Sequence, residues 1–145
     1  MAQVTFYHQE RVDGGRRSGL LVDGNSMLHG FLPGGADRDP ALAWYADVTL
    51  ESETPPEERD ALDWLSQHGV EMRAALKEAG RELACGLDVD TVPWEFTYPG
   101  SGRPIRISVS AMRRLTARQV GQKLSELSER DWTSLFPALV PHPGR

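Results

Sequence analysis

The stretch GLLVDGNSMLHGFLPGG, residues 19–35, decides how the fold is read, because it supports two incompatible structures. In one, the apolar run Leu20–Val22 is a strand that delivers Asp23 to a metal site, and a helix follows. In the other, the run is one arm of a hairpin and Asp23-Gly24 is its turn. Asp-Gly between two β-type runs is the strongest short-range hairpin signal, since both residues tolerate the positive φ that a tight two-residue turn demands. Pro33, Gly34 and Gly35 would also stop any helix begun at Ser26 within about two turns. The stretch therefore predicts a strand ending near Val22, a turn at Asp23 and Gly24, and a strand starting near Met27 and running to Leu32.

Working outward, residues 3–9 (QVTFYHQ) alternate Val4, Phe6 and His8 against Thr5, Tyr7 and Gln9, the period-two pattern of a strand with two different faces, and VDGGRRS is the turn after it. Residues 42–51 place Trp44, Ala46, Val48 and Leu50 on one face and Tyr45, Asp47, Thr49 and Glu51 on the other. The period then changes. Thr54, Pro55, Pro56 and Glu57 form an N-cap, a first-turn proline and a capping-box partner, so a helix is expected from there. Its stripe is Leu62, Leu65, Gly69, Met72, Leu76, Ala79 and Leu83, with Gly69 marking a kink or a close crossing. A second hairpin follows, Trp94, Phe96 and Tyr98 alternating with Glu95 and Thr97, then Ile105, Ile107 and Val109 alternating with Arg106, Ser108 and Ser110, closed by PGSG. Thr116 with Gln119 caps a second helix whose stripe is Val120, Leu124 and Leu127, and Asp131 caps a short turn that plants Trp132, Leu135 and Phe136 on the core.

Four strands, a long helix, two strands and a helix, joined mostly by hairpins, predict an α+β fold. We expect two layers, a largely antiparallel sheet of about six strands packed against one long and one shorter helix. At 145 residues, with no linker or repeat, a single domain spanning 1–145 is expected.

The segment LLVDGNSMLHGF resembles the opening motif of the flap-endonuclease and DNA polymerase I 5′-nuclease family. The resemblance implies that Asp23 binds catalytic metal and that a helix follows it. It covers about a dozen residues. Two-metal chemistry needs further carboxylates, and Asp88 and Asp90 in LDVD are the only nearby candidates. The family's fold is built from βα units, whereas this chain is rich in hairpins. A metal-dependent nuclease or hydrolase using Asp23, Asp88 and Asp90 is the alternative functional reading.

Other chemistry is thinly represented. His8, His29, His68 and His142 lack the spacing of a metal site, so no metal is expected. No serine sits in a Gly-x-Ser-x-Gly elbow, no glycine motif leads from a strand into a helix to cradle phosphate, and no cofactor is expected. The lone Cys85 cannot form an internal disulfide and reads as a small core filler. No signal-peptide core and no apolar run of about 18 residues occur, so a cytoplasmic location away from membranes is expected.

The formal charge of −5 argues against nucleic acid as the partner. Fourteen arginines against two lysines, Lys77 and Lys123, point to a GC-rich bacterial origin. Within this acidic chain Arg103, Arg106, Arg113, Arg114 and Arg118 gather on the second hairpin and the entry to the last helix. Guanidinium groups suit bidentate capture of carboxylate. With the acidic stretch ESETPPEERDALD they make the molecule dipolar, which suits a protein partner of acidic character. The expected function is thus a bacterial cytoplasmic binding or accessory protein of the immunity type, acting through protein–protein contact rather than catalysis. Its oligomeric state is left open.

Overall fold

The computed structural model describes residues 2–23, 25–26, 42–53, 57, 60–85, 94–99, 103–111, 115–130 and 132; for residues 25, 26 and 62 it gives the backbone only. The strands are β1 (Ala2–Arg11), β2 (Arg16–Val22), β3 (Asn25–Ser26), β4 (Leu42–Ser52), β5 (Trp94–Tyr98) and β6 (Ile105–Ala111), and the helices are α1 (Ala61–Cys85) and α2 (Ala117–Glu129). The strands form one sheet in the order β3-β2-β1-β4-β6-β5, and every neighbouring pair is antiparallel. The architecture is the α+β sheet-and-helix arrangement expected from the patterning.

The opening stretch resolves as the hairpin. Val22 pairs with Asn25 and Leu21 with Ser26, so two residues link β2 to β3, and Asp23 has the positive φ of 51° that a primed turn requires. The turn is tied back to β1: Asp23 N–H donates to Gln3 C=O at 2.8 Å, and Gln3 N–H donates to Asp23 Oδ1 at 2.9 Å. β3 begins at Asn25, earlier than Met27; residues 27–32 lie outside the described residues. The β1–β2 connection is also a tight turn, with Gly14 at φ 91° and Asp13 Oδ1 accepting from Gly15 N–H at 2.8 Å.

Alternation assigns the two faces of the sheet. Val4, Phe6, Leu20, Trp44, Ala46, Val48, Leu50, Ile105, Ile107 and Val109 face the helices and form one buried cluster with Leu65, Met72, Leu76, Leu83, Val120, Leu124 and Leu127. Trp132 closes its end. Its ring stacks on Phe6 with centroids 4.0 Å apart, and its indole N–H donates to Leu127 C=O at 3.0 Å.

Two expectations about α1 need correction. The helix starts at Ala61 rather than at the Thr54 cap. Glu57 is not helical, and its carbonyl accepts Asp60 N–H at 2.9 Å in a single turn. The reason is that residues 54–60 carry no Leu, Ile, Val, Met or aromatic side chain, and helical stability comes mainly from burying an apolar face. Gly69 does not mark a close crossing of the sheet, for a Cβ there would meet only the Trp132 ring at 3.9 Å. The close crossing lies between the helices. A Cβ on Gly121 would stand 2.4 Å from Ala84 N, and one on Gly80 would stand 2.8 Å from Gly121 O. The α2 start matches its sequence: Gln119 N–H donates to Thr116 Oγ1, and Thr116 N–H donates to Gln119 Oε1 at 2.9 Å, a complete capping box.

Candidate functional site

The sheet face turned away from the helices carries the outward residues of β1, β4, β6 and β5. Register places them in rows. Tyr7, Asp47, Ser108 and Glu95 form one row across the four strands, and Thr5, Thr49, Arg106 and Thr97 form the next. The β1 end of this face is closed: Tyr7 and Gln9 are buried, and Gly19 beside Tyr7 on β2 is buried too. The β6 and β5 end is open, with Arg106, Glu95 and Thr97 exposed, and Asp47 and Thr49 stand half-buried at the boundary.

At that boundary is a cleft of about 150 Å³ lined by Asp47, Thr49, Glu95, Thr97, Arg106 and Ser108, with Phe96 and Ile107 between them. Three formal charges meet there. Burial pushes the Asp47 carboxyl up to about 6; the Arg106 guanidinium pulls it back, Glu95 raises it further, and a hydrogen bond from the Ser108 backbone lowers it. Among the described residues, no ion pair joins Arg106 to either carboxylate. Hydroxyls of Thr49, Thr97 and Ser108 line the gaps between the charges. Half-burial, a shifted carboxyl and a concave surface are the usual marks of a binding site.

The arginines named from sequence separate in space. Arg106 lines the cleft. Arg103 is exposed, and its guanidinium donates to the Glu51 backbone C=O at 2.7 Å. Arg118 lies on the first turn of α2, across the sheet from Arg106, and donates to Ala84 C=O at 3.3 Å near the C-terminus of α1. Arg113 and Arg114 lie outside the described residues. Arg103 and Arg118 therefore satisfy backbone carbonyls, and Arg106 stands among carboxylates rather than in a purely basic group.

Of the histidines, His8 is the surprise. It is wholly buried, its Nδ1 lies 2.6 Å from Ser18 Oγ and its Nε2 lies 3.0 Å from Glu10 Oε2. The carboxylate can only accept, so Nε2 carries a proton. Burial alone would raise the Glu10 carboxyl. The hydrogen bond and charge of His8, with the Lys123 ammonium 3.8 Å from Oε1, win and hold it at about 2. The order serine, histidine, carboxylate is that of a nucleophile relay. Ser18, however, is 3% exposed on an inner strand, facing the helices. The chain of hydrogen bonds satisfies the buried Ser18 and His8 and the half-buried Glu10, and ties β1 to β2 and, through Lys123, to α2.

His68 lies on α1, 3.6 Å from Glu71 and against Trp64. His29 and His142 are outside the described residues. Cys85 is exposed at the end of α1, not a core filler, because the buried stripe of that helix runs through Ala79 and Leu83 and leaves position 85 on the outer side. Asp23 is an exposed turn residue whose carboxylate is engaged by the Gln3 backbone, while Asp88 and Asp90 lie outside the described residues. Among the described residues no group of three or more histidine, cysteine or acidic side chains is placed to hold a metal ion, and no helix is long and apolar enough to cross a membrane.

Asp47 and Glu95 were legible only as outward positions of two separate strands. The signal that joins them is the β4–β6–β5 register, which a single sequence does not specify. Comparison with known protein families, with characterised proteins and with solved structures gives no match to this chain.

Proposed function

We propose that this is a binding protein that docks on a protein partner through the sheet face turned away from α1 and α2, with Arg106 as the anchor for a partner carboxylate. The observation that carries this reading is the exposed guanidinium of Arg106 in the wall of a concave polar cleft, with no ion pair to the carboxylates beside it. An exposed guanidinium with no ion pair within 4.0 Å keeps its planar fork of donors available, and bidentate pairing with a carboxylate gives both energy and direction. The two flanking acids make the surface selective. A partner that presents only negative charge meets repulsion from Asp47 and Glu95, so the complement must place its acid opposite Arg106 and leave neutral or basic groups beside it.

The reading extends the expectation of an accessory protein and narrows its contact surface to β4, β6 and β5. The test is capture from the native host of proteins that bind the wild type, repeated with Arg106→Glu and with Arg118→Glu, each first shown to unfold like the wild type. Loss of the same captured protein with Arg106→Glu and retention with Arg118→Glu supports docking on this face. Equal capture by all three proteins refutes it.

A further inference from the structure

We propose that the cleft between β4, β6 and β5 is a site for a small zwitterion of amino-acid size, its carboxylate on Arg106 and its ammonium between Asp47 and Glu95. This goes beyond docking on a protein, because the ligand is small and the site is complete within one chain.

The charge arrangement is the first argument. Across β4, β6 and β5, Arg106 stands between Thr49 and Thr97 in one row, and in the next the two acids flank Ser108. Strands lie about 4.8 Å apart, so Asp47 and Glu95 start roughly 9 to 10 Å from each other at the backbone, each one strand away from Arg106. A ligand above Ser108 would reach all three charged groups. Neither acid lies within 4.0 Å of the Arg106 guanidinium nitrogens among the described residues, and Asp47 feels Arg106 only as a through-space charge, so a ligand can still pair directly with each. A simple anion would use Arg106 and meet two carboxylates; a simple cation would use the acids and meet Arg106. Only a ligand with both charges satisfies the whole set.

Size and lining agree. A volume of about 150 Å³ holds a molecule of a few to ten heavy atoms and not a folded partner. Hydroxyls of Thr97 and Ser108 can donate or accept as the ligand requires, while that of Thr49 is already shared with Thr5 Oγ1 at 2.8 Å, so the ligand's polar atoms regain hydrogen bonds on leaving water. The groups facing Asp47 are Tyr7 from β1, Arg106 from β6 and Glu95 from β5. Among these, Glu95 repels the ionised form of Asp47 and burial disfavours it, so an arriving ammonium stabilises a carboxylate the empty cleft holds at a cost.

The experiment is calorimetric titration of the full chain with glycine, alanine and leucine, and with acetate and ethylamine as single-charge controls, at pH 8 and pH 5. An amino acid is expected to bind at pH 8, and both controls at least about tenfold more weakly. Binding is expected to weaken by about tenfold at pH 5, where Asp47 is protonated. Asp47→Asn and Arg106→Gln are each expected to weaken it by about tenfold to a hundredfold, while Arg118→Gln leaves it unchanged. Thermal unfolding of each variant separates loss of the site from loss of the fold. The proposal is overturned if no amino acid binds at concentrations up to about 10 mM, or if acetate or ethylamine binds as well as the amino acids do. It is equally overturned if binding survives Asp47→Asn and Arg106→Gln. None of these outcomes bears on protein capture, so this site and the docking face fail separately.

Discussion

Tyr7 lies across Gly19. The two residues are directly opposed in the β1–β2 register, and a Cβ built on Gly19 would stand 2.4 Å from Cε1, Cζ and Oη of the tyrosine. The ring fills the space that a side chain on β2 would occupy, a known way of covering a glycine in a sheet. It also closes the β1 end of the face on which the cleft lies. Burial raises the Tyr7 phenol to about 12, with Arg17 pulling slightly the other way.

Gly19→Ala therefore drives a methyl into a buried ring. The expected loss of stability is about 1–3 kcal/mol, the usual size of an overpacking defect, measured by urea unfolding. In a Tyr7→Ala background the same substitution should cost at least about 1 kcal/mol less, because residues in contact do not add. Equal losses in both backgrounds would refute the contact.

Three glycines of the helices are expected to respond differently. Alanine at Gly69 meets ordinary contact distance only, so it should stabilise by about 0.5–1 kcal/mol through helix propensity. Alanine at Gly80 or Gly121 meets backbone of the other helix at under 3.0 Å. The clash outweighs the same propensity gain, and a net loss of about 1–3 kcal/mol is expected. Thermal unfolding of the three single variants checks the order.

Glu10 gives one arm of the pH dependence. Its folded pKa, about 2, lies below the ordinary value of 4.5, so its stabilisation is complete above about pH 4.5 and is lost as pH falls towards 2. Glu10→Gln should cost on the order of 1–3 kcal/mol at pH 6 and much less at pH 2.5. Urea midpoints at the two pH values give the comparison.

Asp47 gives the opposite arm. Its folded pKa, about 6, lies above the ordinary 3.8, so the folded state holds the proton more tightly and stability falls as pH rises from about 4 to 6. Asp47→Asn removes that penalty. The variant should be more stable than the wild type at pH 7.5, by on the order of 1–3 kcal/mol, and nearly equal to it at pH 4. A variant that is less stable at pH 7.5 would show that the carboxylate is held by a cation.

The sequence carries the elements of this fold because most of its strands bury one face. Val4, Phe6, Trp44, Val48, Ile105 and Ile107 recur at period two, and Leu65, Met72, Leu76 and Leu83 at the helical period, so both faces could be assigned before any pairing was known. Asp23-Gly24 marked the β2–β3 hairpin for a local reason, the positive φ of Asp23 in the turn. Local signals failed where tertiary packing decides. The capping pattern read at Thr54 and Glu57 does not mark the start of α1, which begins at Ala61 where the buried stripe begins. Gly80 and Gly121 carried no signal of a helix crossing, since each is an ordinary glycine until the other is opposite it. The site was half legible in the same way. Arg106 stood out as an outward arginine on a clear strand, but Asp47 and Glu95 join it only through strand order. The Ser18–His8–Glu10 chain was hidden likewise, since its serine and histidine lie ten residues apart in sequence and meet through the β1–β2 register.

The most direct test of docking on the face turned away from α1 and α2 is an amide NMR titration of the labelled chain with the protein it captures from its host. The account expects the largest shifts at Asp47, Thr49, Glu95, Thr97, Arg106 and Ser108, and little change along Ala61–Cys85 and Ala117–Glu129. Shifts concentrated on the two helices, with the six cleft residues unmoved, would contradict it.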